Sequence, residues 1–152
     1  MSSCTDGNAN LRPVALSQGF RYLSSMILPA ADRVRRTVLI VDDEPGIRNF
    51  LRDALTAAGY EVLEAENGKE AVKQVAASNV DLVIMDLAMP KQDGLETIPL
   101  LHHLQPQLRI IVMSGKFADE LHVAELLGAN ASLAKPIQKD ELLEAIARVM
   151  AG

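Results

Sequence analysis

The sequence predicts an α/β fold, a doubly wound five-stranded parallel sheet with helices on both faces. Three observations carry this. Short, largely apolar runs recur five times between Thr37 and Ala134. A segment with helical spacing of apolar residues follows each run. The strand bodies are nearly all apolar, as strands covered on both faces are.

The first strand is Thr37–Val41 (TVLIV). Pro45 then stands where a helix begins, with Asp43 or Glu44 as N-cap, and Ile47, Phe50, Leu51, Ala54, Leu55 and Ala58 follow at helical spacing. Gly59 stops that helix from the position where a left-handed residue is needed. Tyr60–Ala65 reads as the second strand, and Asn67–Ala77 as a helix with Ala71, Val72, Val75 and Ala76 inward. Asp81–Met85 (DLVIM) is the third strand and ends at Asp86, before a loop over Leu87–Asp93 that contains Pro90. A helix over Gly94–Leu104 follows, with Pro106 beyond its end. Pro99 is tolerated there if the helix starts near Glu96; an earlier start places it inside, where a kink is expected. Arg109–Met113 (RIIVM) is a strand ending at Ser114, and Phe117–Leu127 is a helix closed by Gly128. Ala131–Ala134 ends at Lys135, and Asp140–Met150 is the last helix, with Leu142, Leu143, Ile146, Val149 and Met150 apolar.

Every strand-to-strand crossover contains a helix, so the strands should be parallel. Right-handed crossovers favour helices on both faces, and 2-1-3-4-5 is the common order for five strands.

Residues 1–36 read as a separate N-terminal extension rich in Ser, Asn, Gly and Pro. A short amphipathic helix with Leu16, Phe20, Leu23 and Ile27 on one face is one reading of it; a flexible tail suits its composition better. The extension holds five Arg and two acids, whereas residues 37–152 hold ten Lys/Arg and eighteen Asp/Glu. So acidic a domain repels a phosphate backbone, and no helix-turn-helix pattern is left over, which excludes direct nucleic-acid binding as an expectation. The single cysteine, Cys4, has no partner for a disulfide and reads as a bystander thiol. No apolar run reaches the length of a membrane span or a secretory signal, so the expected location is the cytoplasm.

Ligands of open parallel sheets bind beyond the C-terminal strand ends, where the strand order reverses. Here the first strand ends in Asp42 and Asp43, the third in Asp86, the fourth in Ser114 and the fifth in Lys135. Taken singly, each has a plain reading: Asp42 and Asp43 as helix caps, Asp86 and Ser114 as turn residues, Lys135 as a solvated lysine. Together they put three carboxylates, a hydroxyl and an ammonium on one rim. Converging carboxylates repel unless a cation relieves them, and a set of hard oxygens suits Mg²⁺. A lysine and a hydroxyl beside a carboxylate that attacks phosphorus would meet the phosphoryl oxygens. His102, His103 and His122, by contrast, read as solvated or edge histidines, and Glu61, Glu64 and Glu66 as a solvated surface.

Over residues 36–150 the sequence resembles the receiver domain of bacterial two-component response regulators. The resemblance rests on VLIVDDEP (Val38–Pro45), GYEVLEAENGKEAV (Gly59–Val72), DLVIMDLAMPKQDGLE (Asp81–Glu96), RIIVMSG (Arg109–Gly115), LGA (Leu127–Ala129) and LAKPI (Leu133–Ile137), in order and at the family's spacing. It implies a flavodoxin-like fold and Asp86 as phosphoacceptor. It implies Mg²⁺ held by Asp43, Asp86 and the Ala88 carbonyl, with Asp42 acting through a metal-bound water. Ser114 would contact the phosphoryl group, Lys135 would pair with one of its oxygens, and the Lys135–Pro136 bond would be cis. The donor would be a phosphohistidine on a sensor histidine kinase or a histidine phosphotransfer protein, and the output a downstream protein target. Only Ala151 and Gly152 follow the last helix, so the chain reads as a stand-alone regulator and not an enzyme in the ordinary sense. A homodimer through the fourth helix, fifth strand and fifth helix is a further implication. One departure stands out: Ser132 occupies the position where the family usually carries a switching Tyr or Phe.

Two other readings compete. Haloacid-dehalogenase-type phosphatases also place an Asp at a strand end, but with a second Asp two residues later, where this chain has Ala88. A receiver-like interaction module that no longer needs phosphate is the other; the full acidic set argues against it.

Overall fold

The structure, a computed structural model, describes residues 35–88, 94–115 and 118–151. The expectations about the N-terminal extension, Cys4, Pro90 and Phe117 lie outside these residues.

Five strands alternate with five helices: β1 (Thr37–Val41), α1 (Pro45–Ala57), β2 (Glu61–Ala65), α2 (Gly68–Ala77), β3 (Leu82–Asp86), α3 (Gly94–Leu104), β4 (Arg109–Ser114), α4 (Ala118–Leu126), β5 (Ala131–Ala134) and α5 (Lys139–Ala151). All strand pairs are parallel, and the order is β2-β1-β3-β4-β5, as expected.

Side-chain alternation along the strands divides the core in two. Leu39, Val41, Val83, Met85, Ile110 and Val112 face one side and pack with Ala71, Val75, Ile98, Leu101 and Ala124 of α2, α3 and α4. Val38, Ile40, Leu82, Ile84, Ile111 and Met113 face the other and pack with Leu51, Leu55, Leu142 and Ile146 of α1 and α5. The central strands β1 and β3 are thus covered on both faces, which is why their bodies are apolar, whereas the edge strands β2 and β5 carry Glu61, Glu64 and Ser132. Each fully buried Leu or Ile contributes roughly 1.5–3 kcal/mol of burial energy. The core is aliphatic because the chain has no Trp and few other aromatics.

Helix ends follow local chemistry. Asn67 caps α2, its side chain accepting a hydrogen bond from the Glu70 amide at 2.9 Å. Glu44 occupies the N-cap position of α1 without a side-chain cap bond. Instead the Asp42 carboxylate accepts from the Glu44 amide at 2.9 Å. Gly59 and Gly128 end α1 and α4 with positive φ of 97° and 121°.

Several expectations needed correction. Ala76 is exposed rather than inward, because the buried stripe of α2 is narrow and runs through Gly68, Ala71 and Val75, with half-buried Val72 packed beside it. Because α3 starts at Gly94, Pro99 is its sixth residue and lies inside the helix. Its ring sits on an exposed position, which keeps it out of the packed face. Glu64 is not freely solvated: its side chain is 31% exposed and pairs with Arg48 and Arg52 of α1. The histidines agree with their reading as solvated or edge groups: His103 and His122 are exposed, and His102 is half-buried with Nε2 3.2 Å from the Leu108 carbonyl oxygen.

Candidate functional site

Parallel strands deliver their C-terminal ends to one rim. The β1–β3 register pairs Val41 with Met85, so the next residues, Asp42 and Asp86, emerge side by side at the point where the strand order reverses. Asp86 pairs in turn with Met113, one residue before Ser114, and Ser114 pairs with Ala134, one residue before Lys135. The register alone therefore aligns Asp42, Asp86, Ser114 and Lys135 along the rim.

Asp42, Asp86 and Ser114 are all buried, with at most 3% exposure. Asp43 is exposed, and Lys135 is partly buried. One carboxylate oxygen from each of Asp42, Asp43 and Asp86 can be chosen so that all lie within 4.8 Å of one another. The Lys135 ammonium reaches two of these acids, with Nζ 3.2 Å from Asp86 Oδ2 and 3.5 Å from Asp42 Oδ2. The remaining oxygens have fixed partners: Asp86 Oδ1 accepts from the Ala88 amide at 3.0 Å and Asp42 Oδ1 from the Glu44 amide. The Lys135 amide donates to the Ser114 carbonyl at 3.0 Å, and the Lys135–Pro136 peptide is cis. Gly115 leaves room for the lysine stem; a Cβ there would touch Lys135 Cβ at 3.4 Å.

The electrostatics follow from burial and proximity. Burial holds Asp42 above the usual carboxylate range; the Glu44 amide opposes this, the Asp86 charge adds to it and Lys135 opposes it. Burial by itself would lower the Lys135 ammonium, but the Asp42 and Asp86 carboxylates outweigh it and hold the group above its ordinary value. Three carboxylates against one ammonium leave two negative charges uncompensated when all are ionised. The acidic trio offers hard oxygen ligands with water access through exposed Asp43, which fits a small divalent cation.

One participant was not anticipated. Arg48 of α1 donates from Nη1 to the Asp42 backbone carbonyl at 2.6 Å, and its Nε lies 3.3 Å from Glu64 Oε1. The signal available in the sequence was weak: an Arg one turn after Glu44, and a Glu near the C-terminal end of the second strand.

A sequence model of the response regulator receiver domain matches residues 38–147. This chain belongs to that family. Among related proteins, the receiver domain is 38% identical to the chemotaxis protein CheY of Thermotoga maritima over 117 residues, covering 75% of this chain and 97% of that one. It is 35% identical over 119 residues to the CAI-1 autoinducer sensor kinase/phosphatase CqsS of Vibrio cholerae, covering 76% of this chain but only 17% of that protein. Among solved structures, a putative response regulator from Chloroflexus aurantiacus superposes with a TM-score of 0.74 at 30% identity, over 78% of this chain and all of that one. Receiver domains are phosphoacceptor signalling modules, and the buried Asp86 lies in the acidic trio at the rim. Among the described residues no helix is long and apolar enough to cross a membrane.

Proposed function

We propose that this receiver domain accepts a phosphoryl group on Asp86 in a Mg²⁺-dependent reaction and, once modified, changes the proteins it binds. One observation carries the reading: the buried Asp86 carboxylate lies 3.2 Å from the Lys135 ammonium and is grouped with Asp42 and Asp43 on the same rim. Asp86 attacks phosphorus on a phosphohistidine of a sensor kinase or phosphotransfer protein. The O–P bond forms, the P–N bond breaks, and the leaving imidazole takes up a proton. Lys135 meets one phosphoryl oxygen as a point charge, and the Ser114 hydroxyl donates to another. Asp43, Asp86 and the Ala88 carbonyl would hold the metal, with Asp42 assisting, and the ion would supply positive charge for the phosphoryl oxygens. The metal and Lys135 together bring the acid set near electrical balance, which is what an incoming phosphoryl dianion needs.

The receiver domain proper is taken as 37–152, with 1–36 as an extension. In this reading the domain acts through a downstream protein in the cytoplasm; the likeness to the Thermotoga chemotaxis protein, over 97% of that protein, supports a role as a receiver. The domain catalyses only its own phosphorylation and dephosphorylation. Intact mass after incubation with acetyl phosphate and Mg²⁺ tests this: one added phosphoryl group is expected, and none in Asp86→Asn. Unchanged mass in the unmodified protein sinks the reading.

A further inference from the structure

We propose that Arg48 is a positioning residue for the divalent-cation site, acting through the peptide between Asp42 and Asp43. The inference rests on the reading of that rim as a metal site.

The argument starts where the sheet ends. Asp42 makes the last backbone rung of β1, its amide donating to the Ala65 carbonyl at 3.1 Å. Its own carbonyl points beyond the ladder and accepts from Arg48 Nη1 at 2.6 Å. A peptide unit is planar, so fixing that carbonyl also fixes the Asp43 nitrogen and the start of the Asp43 residue. Asp43 is the exposed member of the acidic trio and lies outside the ladder, so its placement depends most on this peptide.

Arg48 is itself held. Its side chain is 14% exposed, and its Nε pairs with Glu64 Oε1 at 3.3 Å. Glu64 sits opposite Ile40 in the β1–β2 register, on the face that α1 covers. Its second oxygen takes Arg52 Nη1 at 3.2 Å, one helical turn further on. The planar guanidinium suits this task, because one edge can meet a carboxylate while another nitrogen meets a carbonyl. Arg52 shares the anchor, is more exposed at 42%, and bonds to Glu64 rather than to Asp42. The two arginines therefore separate a positioning role from a general structural one.

Calorimetric titration with Mg²⁺ on the full chain provides the test, beside acetyl-phosphate labelling across Mg²⁺ concentrations. Arg48→Met should weaken Mg²⁺ binding about tenfold, the scale expected for groups that orient metal ligands. Labelling should then need more Mg²⁺ yet approach the unmodified rate at saturation. Arg48→Lys, which keeps one donor, should recover part of the loss, and Arg52→Met should bind as the unmodified protein does. Should Arg48→Met fail to fold, Glu64→Gln stands in, with an expected loss of about threefold from a loosened anchor. Mg²⁺ affinity within twofold of the unmodified protein in the Arg48→Met variant (or in Glu64→Gln where that stands in), or equal losses in the Arg48→Met and Arg52→Met variants, would overturn the proposal. If the unmodified protein neither binds Mg²⁺ nor takes up phosphate, the functional reading falls and this inference with it; if it does both, a flat response to the Arg48 change overturns the inference alone.

Discussion

Lys135 Nζ lies 3.2 Å from Asp86 Oδ2, although Asp86 ends β3 and Lys135 follows β5, with β4 between. The contact bridges β4 because lysine is long enough to lean across the rim. It has a thermodynamic consequence as well as a chemical one. In Lys135→Ala the buried Asp42 and Asp86 carboxylates lose their shared counter-charge. Removing one partner of a fully buried pair costs about 3–5 kcal/mol. The lysine side chain keeps 19% of its exposure, so about 2 kcal/mol is expected here at neutral pH. Urea melts with and without Mg²⁺ check this: Mg²⁺ should stabilise Lys135→Ala more than the unmodified protein, because the ion replaces the missing charge. Phosphoryl uptake from acetyl phosphate should fall sharply even at saturating Mg²⁺.

The pH dependence of Mg²⁺ binding follows from Asp42. Its folded-state pKa is raised above 3.8, chiefly by burial, so the folded protein holds that proton more tightly than the unfolded chain. Two effects of definite sign result. Asp42's contribution to the stability of the metal-free protein is present at low pH and lost as pH rises from 3.8 through the folded value. Mg²⁺ affinity moves the other way, because the proton competes with the ion's hydration shell at that carboxylate. At pH 3.8 Asp42 is more than half protonated in the folded protein. Titrations stepped from neutral pH toward 3.8 should therefore show Mg²⁺ affinity falling toward acid. Lys135 has no part in this range: its pKa is raised above 10.5, so its stabilisation is complete below that value and lost only as pH rises through its folded pKa.

The sheet was legible because burial on both faces leaves largely apolar runs, and Thr37–Val41 and Ala131–Ala134 were read with their observed bounds. The site was legible because four strand ends converge by topology alone, so residues far apart in sequence could be grouped without knowing any distance. What was not legible depended on register or on packing between helices. Glu64 looked solvated until its place opposite Ile40 brought it over α1. Arg48 carried no signal apart from its spacing to Glu44, since its partner is a backbone carbonyl and carbonyls leave no trace in sequence. Ser132 was recognised as a departure, but its actual partner, the Glu125 carboxylate at 3.1 Å, required the placement of α4.

Asn67 offers a local test of the second helix. Its side chain satisfies the Glu70 amide, one of the donors a helix start leaves unpaired, while Glu70 Oε1 accepts from the Glu66 amide at 3.2 Å. Asn67→Ala should cost about 1 kcal/mol. Asn67→Asp should be nearly neutral, because the acceptor oxygen remains and its charge suits a helix N-terminus. Thermal melts of the two variants distinguish a capping role from simple exposure: equal melting temperatures would contradict it.

His102 and Gly128 meet at the opposite rim of the sheet, where α3 ends and the turn into β5 begins. A Cβ on Gly128 would lie 2.6 Å from His102 Cε1 and 2.8 Å from Nδ1, and the backbone there has φ of +121°. Gly128→Ala therefore carries two penalties: a left-handed backbone that an L side chain disfavours, and a clash with a ring that is itself positioned near the Leu108 carbonyl. Together they should cost about 2–4 kcal/mol. The two parts can be separated, since His102→Ala removes the ring but leaves the backbone penalty. A double-mutant cycle should show a positive coupling, with Gly128→Ala costing about 1–2 kcal/mol less in the His102→Ala background. Additive costs would mean that the ring swings aside freely and the backbone alone matters. Phosphoryl uptake per folded molecule should be unchanged in all three variants, because the strands separate this contact from the acids at their C-terminal ends.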